Sequence, residues 1–345
     1  MPTKFSLKSL SSFIRGAALT AVLLFSLNCR AQQLYEFTAT KYLMGTKFDI
    51  TAISPSIDSM KRAMYYSLKE VERIQGVMSS TIDTSEVYKI NTHAGVNPVK
   101  VSYETYSIIE RSINYSKKYS GIFDITIGCI TELWGFNSDN PVIKIPPQSA
   151  IDSLVKLVGY EKIILNQADT SVFLPERGMK IDLGGIAKGY AIDRASDVMK
   201  ENGMNNFFVN GGGDIRVCGS KSETEEWSVG IEHPRKKNAI IASLEVKDLS
   251  VGTSGDYERF AIINGVRYHH IFNVKTGYPS MTSESATAIA NTTEEAVVLS
   301  KILFIRGAKE YINDTQNVPG VIVDMDGKLN YDEKSIKDFH FTVIK

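Results

Sequence analysis

The chain has 345 residues, 39 Lys+Arg against 39 Asp+Glu for no net charge, and 43% hydrophobic residues. That balance supports a folded core and excludes both a disordered chain and a strongly basic nucleic-acid binder. Three cysteines are too few for a disulfide scaffold or a zinc cluster.

At the N-terminus, Lys4, Lys8 and Arg15 precede an apolar run over residues 17–27, and Ala31 follows with the small Cys29 at −3. This is the order of a secretory signal peptide, residues 1–31. The run is too short for a spanning helix, which needs about 20 residues. A lipid anchor at Cys29 is the weaker reading, because Leu27-Asn28 departs from the small residues that normally precede such a cysteine. Cleavage after Ala31 removes four basic residues (Lys4, Lys8, Arg15, Arg30), leaving 35 basic against 39 acidic, a net of −4. Residues 32–345 read as a single domain, with no Pro/Ser-rich linker and no internal repeat. Cys129 and Cys218 read as buried free thiols, a single disulfide between them staying open.

Residues 41–52 alternate as a strand should. Met64, Leu68, Val71, Ile74 and Met78 recur at helical spacing and predict an amphipathic helix over about 59–78. Ser102 caps a second helix running to about 119, with Ile108, Ile109 and Ile113 inward. Pro141, Pro146 and Pro147 mark an exposed loop over 137–147. Helices are expected over 150–158, 185–202 and 294–304. Strands are expected over 207–209, 215–217, 227–231, 240–246, 260–263, 321–324 and 339–344. The fold class is α+β, with mixed sheets and packed helices.

The most informative stretch runs from Ile181 to Arg194. It reads as a strand end (179–183) turning through Gly184-Gly185 into a helix. Glycines let backbone approach a ligand closely, and the unpaired amides and dipole of a helix start favour a phosphate. Lys188 adds a positive charge one turn in, and Asp182 a carboxylate just before the turn. The motif is neither a Walker loop nor a G-x-G-x-x-G turn. An anionic, nucleotide-like ligand is implied, against the alternative of an ordinary strand-to-helix turn. Three further loops carry similar chemistry: residues 210–214 (a glycine run ending in Asp214), 250–259 (small residues with Asp256), and 269–279, which holds His269 and His270. A histidine among such loops suits phosphoryl-type transfer, where positioning and charge stabilisation do most of the work.

Together these pieces resemble the ApbE family of FAD:protein FMN transferases. The matching segments are Met44-Gly45-Thr46; Phe123 to Gly128 with Leu133-Trp134-Gly135-Phe136; Ile181 to Asp193; Asn210 to Ile215; Thr253 to Tyr257; and His270 to Pro279. The resemblance implies a T-fold-like architecture and a transferase. A Thr or Ser hydroxyl of an acceptor protein attacks the FMN-side phosphate of FAD, AMP leaves, and magnesium neutralises the phosphates. The implied acceptor is a flavoprotein subunit of a membrane redox complex in the cell envelope. That matches export to the periplasm or outer face of the inner membrane, with at most peripheral membrane contact and no nucleic-acid partner. By the same resemblance, Met44, Phe123, Asp124, Ile125, Asp182, Lys188 and Ile271 bind FAD. Gly185 offers a backbone metal ligand, His270 is the base or orienter of the hydroxyl, and Asp256 assists it. For Asp124, a turn cap is the competing role.

The chain departs from the family at three places. Asn273-Val274 stands where the family has Asp-Pro, and Thr81 where a flavin-stacking tyrosine is usual. The family's two metal ligands on the last long helix, Asp and Thr, appear as Val297 and Lys301. Valine offers no oxygen to magnesium, and Glu294 or Glu295 would substitute if the register slips by a turn. Two readings follow: a transferase whose cation site is remodelled, with Lys301 standing in for part of the metal charge, or an FAD-binding envelope protein that has lost transfer.

Overall fold

The computed structural model describes residues 33–136, 144–313 and 318–344. The signal-peptide, cleavage and Cys29 readings lie outside these residues, as does most of the loop expected over 137–147.

The elements follow in chain order as β1 (Tyr35–Leu43), β2 (Thr46–Ser54), α1 (Ile57–Met78), α2 (Glu86–Thr92), β3 (Val99–Lys100), α3 (Tyr103–Lys118), α4 (Gly128–Trp134), α5 (Gln148–Val155), β4 (Ile164–Asn166) and β5 (Ser171–Phe173). Then come α6 (Ala187–Glu201), β6 (Phe207–Gly211), β7 (Asp214–Cys218), β8 (Trp227–Glu232), β9 (Ile240–Val246), β10 (Ser250–Gly255), β11 (Phe260–Ile263), β12 (Val266–His269), β13 (Ser283–Ala290), α7 (Thr293–Asn313), β14 (Gly320–Asp324), β15 (Leu329–Tyr331), α8 (Glu333–Ile336) and β16 (Thr342–Val343). The class is α+β, built on an antiparallel sheet ordered β1-β2-β6-β7-β10-β13-β14-β15.

Local signals account for the helices that were expected. Ser56 and Ser102 accept hydrogen bonds from Ser59 N and Thr105 N, capping α1 and α3. The helical stripe Met60, Met64, Leu68, Val71, Ile74 and Met78 is buried, as its spacing demands. The main core lies between the sheet and α1, α6 and α7. A second core, including Val217, Trp227, Leu244, Val251 and Ile289, fills the opposite face beneath β8–β9–β16. In β8, buried and exposed residues alternate strictly, so one face of that ribbon meets water.

Four expectations are corrected. Residues 41–52 are not one strand: a turn at Met44-Gly45 (φ 51° and 72°) folds β1 onto β2. Paired positive φ values match the strand twist, but methionine gives little warning of such a turn. The stretch 179–183 is extended yet forms only a single parallel bridge, Lys180 to Ile127. The loop read over 250–259 is mostly strand β10, at the sheet's centre between β7 and β13. Its small residues serve packing: a Cβ on Gly252 would stand 2.6 Å from the Ala296 carbonyl carbon, so α7 rests directly on this strand. At the C-terminus the expected strand over 339–344 begins late: Thr342–Val343 pair with β9 and Ile344 N donates to Ile241 O at 2.9 Å, while 339–341 stay outside the sheet. Both Cys129 and Cys218 are free and buried.

Candidate active site

Strand registers bring the chemistry-bearing segments to one end of the sheet. Phe48 pairs with Gly211, Gly211 with Asp214, and Gly255 with Ser285. The turns at residues 44–46 and 212–213, the segment after β10 and the start of β13 therefore share an edge. Helix α6 begins beside this edge, at the end of the extended stretch containing Asp182.

That stretch is tied down at each residue. Asn91 brackets Ile181, its side chain accepting from Ile181 N at 2.8 Å and donating to Ile181 O at 2.9 Å. Asp182 N donates to Ile125 O at 2.7 Å. Asp182 Oδ1 accepts from Gly184 N at 2.8 Å, which shapes the turn. No side chain caps α6, so the helix start keeps the positive end of its dipole for a ligand. The groove beside this turn is lined by Thr81, Tyr88, Asn91, Gly128 and Asp182 among others. Thr81, which stands at the resemblance's tyrosine position, and Tyr88 both line this groove.

Two lysines meet at the head of α6. Lys188 pairs with the buried Asp214 (Nζ–Oδ2 2.6 Å), whose other oxygen accepts from Thr253 N at 3.0 Å. Lys301 arrives from α7 and lays its chain over Gly185: its Cε stands 3.5 Å from where a Cβ on Gly185 would be, with the Phe123 ring on the same spot at 2.9 Å. Its ammonium makes one long hydrogen bond, 3.4 Å to the Val297 carbonyl, and among the described residues forms no ion pair. Removal from water pushes its pKa down to about 8, with Lys188 adding to the fall and Asp214 and Asp182 opposing it.

His270 follows hairpin β11–β12. Its backbone N and its Nδ1 both face the Arg259 carbonyl, at 3.2 and 3.3 Å, leaving Nε2 for another partner. Burial, then the charges of Arg259, His269 and Lys301, hold its pKa below the ordinary imidazole value, so the ring is a neutral acceptor near pH 7. The Arg259 guanidinium reaches back to the Met44-Gly45 turn. The loop after His270 is clamped by the Leu133 to Phe136 motif: Trp134 Nε1 donates to Gly277 O at 2.9 Å and the indole stacks on Tyr268. Asn273 accepts from Lys275 N at 3.0 Å, a turn contact that an amide makes as well as the expected carboxylate. Ile271 is buried and anchors the loop by accepting from Ser280 N.

Other site candidates are held in structural contacts. Asp124 accepts from Thr126 N, Thr126 Oγ1 and Tyr160 N, the turn-organising role that competed with ligand binding. Asp256 is not brought to His270. Both its oxygens are held by Arg235, at 2.6 and 2.7 Å, and Arg235 Nε also pairs with Glu284 at 2.9 Å. Arg235 carries no local sequence signal, whereas Asp214 ended a glycine run and could have been singled out. Asp193, inside the motif, accepts from Thr293 N and Glu294 N and caps α7.

The residues do not fit a magnesium ion. Val297, where the family resemblance implies a ligating aspartate, places a buried alkyl group, its Cγ2 2.7 Å from a would-be Cβ on Gly189. Lys301 brings a cation to the backbone at Gly185. Among the described residues no group of three or more His, Cys, Asp or Glu could hold a metal.

The sequence model of the ApbE family matches residues 44–322. The FAD:protein FMN transferase of Klebsiella pneumoniae is 31% identical, over 70% of this chain and 74% of the relative. That of Treponema pallidum is 29% identical, over 83% of each. Among solved structures, the ApbE protein of Thermotoga maritima superposes with a TM-score of 0.83 at 34% identity, covering 88% of this chain and 99% of its own. The flavin transferase ApbE of Vibrio cholerae gives 0.78 at 25%, covering 89% and 100%.

Proposed function

This chain belongs to the ApbE family, and from that premise we propose how its site moves FMN from FAD to a protein hydroxyl. It is an FAD:protein FMN transferase, like the relatives it matches; the binding-only alternative finds no support among them. The observation that carries the site assignment is the head of α6, where the Asp182–Gly185 turn, Lys188 and Lys301 converge beside the groove.

An acceptor Thr or Ser oxygen attacks the FMN-side phosphorus. The new O–P bond forms as the P–O bond to AMP breaks, and AMP departs with the electron pair. The hydroxyl proton passes to His270, whose neutral ring is ready to take it. Lys188, oriented by Asp214, and the open amides of α6 oppose the phosphate charge. Thr81 leaves room in the groove and Tyr88 offers a face for the flavin. Asp256 works at one remove, by fixing Arg235 and the base of the hairpin that ends at His270. Magnesium has no step here, because the residues that would hold it are replaced.

The acceptor we propose is an envelope flavoprotein subunit of a membrane redox complex, reached after export under the signal at residues 1–31. Among the described residues no helix is long and apolar enough to cross a membrane. The test is AMP release from FAD with a flavin-labelled acceptor peptide as co-product. His270→Ala is expected to abolish both while leaving FAD affinity within about threefold, since the ring is proposed to move a proton rather than to anchor FAD. Full transfer by that variant would place the base elsewhere.

A further inference from the structure

We propose that Lys301 is the resident cation of this site: its ammonium takes the place of the family's divalent ion beside Gly185, and the chain binds and cleaves FAD without a metal. The proposal rests on the transferase reading but goes beyond it, since it assigns this chain a charge-stabilising group of its own.

Four observations carry it. First, the stem of the Lys301 side chain lies along Gly185, its Cε 3.5 Å from a would-be Cβ there, so the ammonium, one bond further on, stands beside the phosphate turn. Second, the ammonium is underused. Neither nearby acid forms an ion pair with it among the described residues: Asp214 is held by Lys188 and Thr253 N, and Asp182 accepts from Gly184 N. A half-buried ammonium left with one 3.4 Å backbone contact is a donor waiting for an anion. Third, the position one turn earlier has become apolar to match. The Val297 side chain packs on Gly189, and its carbonyl accepts from Ser300 Oγ at 3.0 Å and from Lys301. Fourth, the charge balances. An aspartate with a divalent cation sums to +1, and a valine with a lysine also sums to +1. The two substitutions therefore leave the formal charge facing the pyrophosphate unchanged, which neither would do alone.

In the reaction the ammonium keeps its proton. It offsets charge on the phosphate oxygens and on the departing AMP, while the hydroxyl proton leaves through His270. Nothing is oxidised or reduced.

The experiment measures FAD affinity of the full-length chain, by flavin fluorescence, after chelator treatment and with magnesium restored, alongside AMP release to an acceptor peptide. FAD affinity and AMP release equal in chelator and in magnesium are expected. Lys301→Thr is expected to weaken FAD roughly 10- to 100-fold, the loss of a charge-assisted phosphate contact, and Lys301→Arg to retain most of the affinity. The pair Val297→Asp with Lys301→Thr, which rebuilds a hard-oxygen set, is expected to recover FAD binding only when magnesium is present. Native FAD binding lost in chelator and rescued by magnesium would overturn the assignment, as would Lys301→Thr binding FAD like the native chain. Metal-independent binding that depends on Lys301, with no AMP from any acceptor, would uphold Lys301 as the cation for FAD binding and overturn metal-free cleavage together with the transferase reading.

Discussion

Replacing Asp193 tests how this site is held. Its two oxygens accept from Thr293 N at 2.8 Å and Glu294 N at 2.9 Å, the first two free amides of α7, while Thr292 Oγ1 takes the third, Glu295 N, at 3.2 Å. Thr293 is fully buried, so water cannot replace the lost acceptor. Two charge-assisted bonds would contribute about 3–6 kcal/mol at 1.5–3 each. The Asp193 pKa is nonetheless raised, because desolvation outweighs these bonds, the Thr293 hydroxyl and the Arg216 charge. Much of the gross gain is thus consumed in burying the charge, and Asp193→Ala should cost about 3 kcal/mol. Asp193→Asn keeps one acceptor and sheds the desolvation cost but turns its NH2 toward the other amide, so it should lose about 2 kcal/mol. Urea melts at pH 7 read both values. Lys301 rides on the same helix, eight residues beyond Thr293 or about 12 Å at 1.5 Å per residue, so FAD affinity should fall with the alanine variant too. An alanine variant within 1 kcal/mol of native, with unchanged slope, would refute the capping argument.

Two further outcomes are expected. Because Arg259, His269, Lys301 and burial all hold His270 below its ordinary pKa, the base stays unprotonated as pH falls through 6.5. The acid limb of kcat/KM should lie below pH 6.5, the ordinary value, and a limb at or above it would show that another group titrates. Arg235→Ala strands the buried Asp256 and Glu284 without their shared counter-ion. With Arg267 still 3.8 Å from Asp256, the cost should sit near the low end of the usual range, about 3 kcal/mol in urea melts; a loss under 1 kcal/mol would mean the network does not hold the hairpin base.

Much of this protein was legible in the chain itself, for physical reasons. Helical stripes and serine caps act over one or two turns, so α1 and α3 could be read nearly to their ends. The motif at Ile181 to Arg194 was legible because a glycine pair, an acid and a lysine sit within one turn of each other. Substitutions at 297 and 301 were visible as departures in a helix whose register is set by its neighbours. Tertiary structure decided what depends on long-range partners. A strand of Ser, Gly and Thr such as β10 shows no periodicity, and only α7 pressed against Gly252 makes it the centre of the sheet. Asp256 and Asp193 look alike as motif carboxylates. The fold gives one to Arg235, 21 positions earlier, and the other to a helix start 100 positions later. The sequence alone determined which charges this chain owns. Which of them, among the described residues, has no acidic partner beside the phosphate turn, Lys301 and not Lys188, was decided by packing, because pairing depends on distances that no local pattern encodes.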